Sequence, residues 1–262
     1  MDLQVKDQVA LVAAASRGLG KAAATALARE GARIAICARS GTLDATAEEI
    51  RSETGAEVLA VRADLTKRDQ VDSFVNQAMD QYGQIDILIT NSSGPPPGTF
   101  MDLTIEDWEA GVQTTIMSVL YLSYAVIPHM LERGSGSIVS NVSYAVKQPL
   151  DRLITSNSLR LAVIGLMKSL ANELGPQGIR VNTINPAWTW TDRIEQLMTD
   201  RAEAAGTTIE EESAKAAAGL SLGRMGTLEE FGQTIAWLAS PAAGFIHGHA
   251  LMFDGGGVSA PL

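Results

Sequence analysis

A single cysteine, Cys37, stands in the 262 residues, so no intrachain disulfide can form. Its setting, Ile34-Ala35-Ile36-Cys37-Ala38, is that of a small buried hydrophobe in a strand. Histidine is nearly as scarce. His129, His247 and His249 are the three present, no Cys or carboxylate cluster stands at metal-ligand spacing, and all three are read as structural, with no metal site expected. Positive charge is also short: 20 Lys and Arg face 30 Asp and Glu, for a net charge of −10. No global basic field would draw in nucleic acid or an anionic membrane, and neither is expected as a main partner. The opening Met-Asp-Leu-Gln-Val-Lys-Asp-Gln has no apolar core of a secretory signal, which suits a soluble acidic cytoplasmic protein. The stretch Ala110 to Leu131 lacks Asp, Glu, Lys and Arg. It carries Gln113, Thr114, Thr115, Ser118, Ser123, Pro128 and His129, however, too polar for hydrocarbon and better read as a buried core helix.

What is abundant is apolar sequence, 46% of residues, and glycine, with 24. Short β-branched runs alternate with helical patterns along the chain. Strands are expected at Gln8–Ala14, Ala32–Ala38, Glu57–Ala63, Ile85–Thr90, Gly136–Val142, Ile179–Asn185 and His249–Asp254. Their nearly continuous apolar character fits a sheet covered on both faces. Thr66-Lys67-Arg68-Asp69 has the pattern of a capping box, opening a helix with Val71, Phe74, Val75, Ala78, Met79 and Tyr82 on one face and Gly83 at its C-terminus. Gly31 ends the first helix likewise. Such alternation predicts an α/β, single-domain Rossmann fold: a doubly wound parallel sheet of about seven strands over residues 1–262. The charged, alanine-rich segment at about 192–222 reads as a helical insertion suited to a lid.

The first strand runs into Ala13-Ala14-Ala15-Ser16-Arg17-Gly18-Leu19-Gly20 and then a helix, Lys21–Glu30. Glycines at a strand-to-helix turn let the backbone approach a pyrophosphate, which the helix N-terminus stabilises. Here the chain resembles the short-chain dehydrogenase/reductase family along essentially its whole length, in particular its 3-oxoacyl-carrier-protein reductase-like branch. The family's T-G-x-x-x-G-x-G falls on these eight residues, with Ala13 and Ala14 replacing its Thr and first Gly. Alanine at position 14 is tolerable if its φ is negative. The resemblance implies cofactor contacts from Ala14, Ser16, Arg17, Gly18, Leu19 and Gly20. Asp64 and Leu65 match the adenine-binding position, and Asn91, Ser92 and Ser93, after Thr90, match N-N-A-G with one asparagine kept. After the second strand an NAD site would want an acid; Arg39 stands there, and Arg17 is a second cation in the turn. The pair suits a 2′-phosphate, so NADP(H) is expected before NAD(H), unless both arginines are simply solvated. Gly94 to Gly98, Gly-Pro-Pro-Pro-Gly, is stiff and either walls a pocket or forms a rigid surface loop.

The resemblance also marks the catalytic positions. Ser143 matches the family's serine. Thr115 takes the place of its asparagine, Ser156 of its tyrosine and Arg160 of its lysine. A phenol with a pKa of about 10 can be tuned toward neutrality, whereas an aliphatic hydroxyl is far less acidic and a ring shorter. Arg160 keeps the charge and can grip a ribose diol, but is unsuited to releasing a proton. Tyr144, beside Ser143 and near Lys147, is either a relocated acid or a pocket aromatic. Pro186-Ala187-Trp188-Thr189-Trp190-Thr191 matches P-G-x-x-x-T, so Pro186, Ala187 and Thr189 would meet the nicotinamide carboxamide. Trp188, Trp190 and Met198 either line an apolar substrate pocket or pack the insertion. The helix Ser156–Leu174 and Asp254-Gly255-Gly256 resemble the family's assembly surfaces, which implies a homotetramer or homodimer.

Two functions remain open from sequence. One is an NADP(H)-dependent oxidoreductase interconverting a carbonyl and an alcohol on an apolar small molecule or acyl substrate. The other is a nucleotide-binding protein with a degenerate site, acting as sensor, scaffold or partner subunit.

Overall fold

Each apolar run becomes a strand because its residues can bury both faces between helices. The computed structural model describes residues 2–260. Its strands are β1 (Val9–Val12), β2 (Arg33–Ala38), β3 (Val58–Arg62), β4 (Ile87–Thr90), β5 (Gly136–Asn141), β6 (Ile179–Pro186) and β7 (Ala250–Phe253). They form one parallel sheet in the order β3-β2-β1-β4-β5-β6-β7. Alternate side chains sort to opposite faces. Ala10 and Val12 join one core layer, whereas Val9 and Leu11 join the other.

The first layer is covered by α1 (Gly18–Arg29), α2 (Leu43–Thr54) and α9 (Leu228–Ala239). The second is covered by α3 (Arg68–Tyr82), α5 (Ser118–Arg133) and α6 (Ile154–Leu174). The insertion supplies α7 (Asp192–Ala205) and α8 (Ile209–Ala217). Because the chain winds outward from β1 to β3 and returns as β4 on the other side, the strand order reverses between β1 and β4. In such sheets the ligand crevice opens beyond the strand C-termini at that reversal. The glycine turn, the ends of β4 and β5, and the loop after β6 all lie at that end.

Two local expectations fail. Thr66 does not cap α3: its hydroxyl donates to the Asp64 carboxylate at 2.8 Å, and the residue before the helix is Lys67, without a side-chain cap. The acid two residues back captured the hydroxyl that a capping box needs. The segment Ala110–Leu131 is helical but not fully buried. It belongs to a continuous helical stretch, Ile105–Arg133, formed by α4 (Ile105–Val112), a π turn (Gln113–Met117) and α5. By length and composition alone this stretch could cross a membrane, yet only 39% of its most apolar window is buried, because it lies on the sheet with one face. Val119, Leu122, Val126 and Met130 face the core while Tyr124 stays exposed.

Candidate active site

At the glycine turn, sterics decide the residue types. A Cβ on Gly20 would stand 2.4 Å from the Ala14 carbonyl oxygen and 2.8 Å from Asn91 Nδ2, so no side chain fits. Gly18 has φ +56°, a conformation open to glycine. Ala14 does not meet the condition under which alanine is unstrained here: its φ is +49°, a left-handed backbone held by a residue with a Cβ. The surroundings hold it there. Asn91 Nδ2 donates to the Ala14 carbonyl at 3.2 Å, and Ala15 N–H donates to Cys37 O at 3.0 Å. Thr46 Oγ1 donates to Ser16 O at 2.8 Å from α2. Leu19 packs against the core beneath, and Arg17 is exposed just before α1.

The rim of this turn carries the charges. Arg39 is exposed, with its Nη1 3.7 Å from Asp64 Oδ2. Burial alone would raise the Asp64 pKa. Hydrogen bonds from the Thr66 N–H and hydroxyl, with the charges of Arg39 and Lys67, outweigh it and leave the carboxyl below its ordinary value. Leu65 beside it is buried. The cradle, the flanking arginines and the acid at the end of β3 fit a phosphorylated dinucleotide. Asn91 ties the turn to the next strand end, since its Oδ1 accepts from Asn141 Nδ2 at 3.0 Å. Asn141 is a site-shaping residue that sequence reasoning missed. Ser92 is half-buried and Ser93 exposed. The following proline run is tied to the start of α6 and the residues before it: Thr155 Oγ1 donates to Pro96 O at 2.6 Å, and Gly98 N–H donates to Arg152 O at 2.7 Å.

Ser143 starts a short 3-10 turn after β5, and its Oγ accepts from Ala145 N–H at 3.1 Å. One turn into α6, Ser156 and Arg160 meet at the i, i+4 spacing, where Arg160 Nε donates to Ser156 Oγ at 3.1 Å. Arg160 Nη1 donates to Val142 O at 2.5 Å, fixing the guanidinium beside the residue that precedes Ser143. The structure thus brings Ser156, Arg160 and the Ser143 backbone together. Burial, then the nearby charge of Arg193, pull the Arg160 pKa down to about 10. Thr115 lies in the π turn, buried, its hydroxyl without a partner. Tyr144 is buried too, and burial raises its pKa, opposite to the shift that a tuned acid needs.

The loop after β6 is pinned to the last strand and to the segment before α9. Ala187 N–H donates to Phe253 O and Trp190 N–H to Gly226 O, each at 2.9 Å, so these two amides are used within the fold. Pro186 closes β6. Thr189 is buried, and its Oγ1 donates to Ala187 O at 3.3 Å. Met198 is fully buried in α7, and Trp188 stacks under Arg201 with 5.5 Å to the ring centroid. Met198 packs the insertion, whereas Trp188 is half-buried and borders a cavity with Leu220, Leu222 and Phe253. Thr191 instead approaches the glycine turn, its Cγ2 3.8 Å from where a Gly18 Cβ would stand. Arg193, also missed from sequence, reaches back so that Nη1 lies 3.1 Å from a Cβ built on Gly94. Its only sequence signal was its place just past the P-G-x-x-x-T-like run.

Comparison with known proteins agrees with this geometry. A family model described as enoyl-(acyl carrier protein) reductase matches residues 13–257. The chain is 34% identical over 261 residues to an uncharacterized oxidoreductase, YvrD, of Bacillus subtilis, covering 98% of each. It is 34% identical over 252 residues to a 3-oxoacyl-[acyl-carrier-protein] reductase of Synechocystis, covering 95% of this chain and 96% of that one. Among solved structures, L-sorbose reductase from Gluconobacter frateurii, complexed with NADPH and L-sorbose, superposes with a TM-score of 0.96 at 29% identity, over 99% of this chain and 100% of that one. A variant of actinorhodin polyketide ketoreductase with NADPH gives a TM-score of 0.91 at 30% identity, over 97% and 98%. The chain belongs to the short-chain dehydrogenase/reductase family of oxidoreductases.

Proposed function

We propose that this chain is an NADP(H)-dependent oxidoreductase that interconverts a carbonyl and an alcohol on a small molecule, with NADP(H) preferred to NAD(H). The observation that carries the reading is the glycine turn, where Gly20 has no room for a Cβ and Asn91 clamps the Ala14 carbonyl, with Arg17 and Arg39 exposed at its rim. That arrangement suits a pyrophosphate on the α1 N-terminus and a 2′-phosphate between the two guanidinium groups. Asp64 and Leu65 would bound the adenine, while Asn91, Ser92, Ser93 and Thr189 would line the path to the nicotinamide ribose and ring. When bound, the reduced nicotinamide supplies the hydride.

Ser143 and Ser156 each accept one N–H, which leaves each O–H free to donate to a substrate oxygen. Neither hydroxyl ionises near neutrality, so they hold the carbonyl and pass on a proton drawn from water. Arg160 holds Ser156 in place and offers its remaining N–H groups to the ribose. Tyr144, with its pKa raised by burial, is a wall of the site. The helices α7 and α8 act as a lid over the substrate. Exposed Tyr124 on α5 and Leu161 on α6 suit a face covered by a second copy in a homodimer or homotetramer.

The test is turnover. Purified protein with NADPH is expected to reduce at least one member of a panel of ketones, acyl thioesters and oxo acids. Absence of turnover across the panel, with activity appearing in Ser156→Tyr/Arg160→Lys, would contradict the reading.

A further inference from the structure

The helix that carries Ser156 and Arg160 does not cap its own start. Leu153, the residue before α6, supplies no side-chain acceptor, and no acid stands in the first turn. The proline loop after β4 supplies what is missing. Gly98 O accepts from Ile154 N–H at 3.3 Å, and Pro96 O accepts from the buried Thr155 hydroxyl at 2.6 Å. Gly98 N–H donates in turn to Arg152 O at 2.7 Å. Arg152 has φ +56°, a left-handed backbone that is costly for a residue with a Cβ. Asp102 holds its side chain from outside, with Arg152 Nη2 3.2 Å from Oδ2. The loop has little freedom to yield. Consecutive prolines at 95–97 fix its φ angles, and a Cβ on Gly98 would stand 2.9 Å from Leu103 Cγ. Behind it α4 and α6 close up at Gly111, where a Cβ would meet Leu159 Cδ1 at 2.9 Å and Pro95 Cβ at 3.4 Å.

Ser156 is thus tied on both sides. Its chain neighbour Thr155 is fixed to the proline loop, and its own hydroxyl is held by Arg160 Nε at 3.1 Å. A serine places its oxygen with one side-chain torsion, so once that rotamer is held the backbone decides where the hydroxyl stands. A longer side chain could swing to recover from a misplaced helix, and this one has no such reach. Strained backbone that its surroundings over-determine marks a constrained site, and the strain at Arg152 lies just upstream of Ser156. The same loop begins beside Asn91, which clamps the glycine turn. One short segment, Asn91 to Gly98, therefore runs from the dinucleotide turn to the start of α6. We infer that Thr155 and Gly98 are positioning residues through which the proline loop sets the Ser156 hydroxyl against substrate and dinucleotide. This rests on the oxidoreductase reading above, in which Ser156 holds the substrate oxygen, and adds residues that act on the reaction only through it.

The experiment compares Thr155→Val, which keeps nearly the same shape and loses the donor, with Thr155→Ser, which keeps the donor. NADPH oxidation is followed with ethyl 3-oxobutanoate, acetoacetyl-coenzyme A and 2-oxobutanoate, and the NADPH Kd is measured by titration. Thr155→Val should lower kcat at least about tenfold, the scale on which small displacements of a reacting group act, while the NADPH Kd changes by less than about twofold. Thr155→Ser should keep kcat within about threefold of the parent, because the bond to Pro96 O survives. On a Ser156→Ala background Thr155→Val should cost less than about twofold more, since a residue acting only through Ser156 has nothing left to place. Amide hydrogen exchange in the first turn of α6 should quicken in Thr155→Val and not in Thr155→Ser. A kcat unmoved by Thr155→Val, a loss repeated in full on the Ser156→Ala background, or unaltered exchange overturns the inference and leaves the oxidoreductase reading standing. Failure of the parent to turn over any of the three carbonyls defeats that reading, and the inference with it.

Discussion

Replacing Gly20 by alanine should damage both stability and nucleotide binding through one contact. The new Cβ would stand 2.4 Å from the Ala14 oxygen and 3.0 Å from its carbonyl carbon, atoms of a backbone clamped by Asn91 and β2. Relief requires opening the turn, with an overpacking cost of about 1–3 kcal/mol. The 3.2 Å bond from Asn91 would go with it, at about 1 kcal/mol more. For a chain of this size the sum, about 2–4 kcal/mol, lowers the melting temperature by roughly 5–15 °C. The reciprocal change in the same turn has the opposite sign. Ala14→Gly frees a left-handed backbone worth about 1–2 kcal/mol, offset by about 0.5–1 kcal/mol of unfolded-chain entropy. Its melting temperature should rise slightly. Thermal unfolding with and without NADPH reads both effects: Gly20→Ala loses the NADPH-induced shift and Ala14→Gly keeps it. A Gly20→Ala protein that melts like the parent and still responds to NADPH would refute the steric account of the turn.

Three further outcomes follow from single side chains. Burial pushes the Cys37 thiol up to about 12, so a thiol reagent at pH 8 should leave it untouched in the folded protein and modify it only with unfolding. Glu230 is held down to about 2 from its ordinary 4.5, by hydrogen bonds from Arg224 first and then by the Thr227 N–H. Its folded pKa is depressed, so its contribution is full above about pH 4.5 and is lost between there and pH 2; Glu230→Gln should lower the melting temperature at pH 7 and leave it unchanged at pH 2. Asn141→Ala should loosen the turn through Asn91, raising the NADPH Kd by about three- to tenfold while the melting temperature falls by only a few degrees.

Strands and helices were legible because their signals are local. Seven apolar runs bounded by turns could hardly be anything but buried parallel strands, and Gly83 ends α3 with the left-handed φ that its position suggested. Failures came where a neighbour competes or where the third dimension decides. Thr66 looked like a cap until Asp64, two residues back, captured its hydroxyl. The sign of φ at Ala14 was not legible, because Asn91, just past β4, holds its carbonyl in the strained turn, and no short sequence window carries that contact. Met198 reads equally well as pocket or packing until its burial is known. Ser156 and Arg160 were found through spacing from Ser143, and their hydrogen bond is the natural i, i+4 consequence. Arg193 was invisible because its significance lies in which loop it reaches. Gly94 is about a hundred residues away in the chain, beyond any local pattern.

Titration calorimetry with NADPH and then NADH measures the central claim most directly, because every proposed step needs a phosphorylated dinucleotide in the crevice between β1 and β4. NADPH should bind with a micromolar or tighter Kd and NADH at least about tenfold more weakly, with the difference erased in Arg17→Gln/Arg39→Gln. Equal binding of the two nucleotides would contradict the assignment of the arginine pair to the 2′-phosphate, and no heat from either would contradict the whole account.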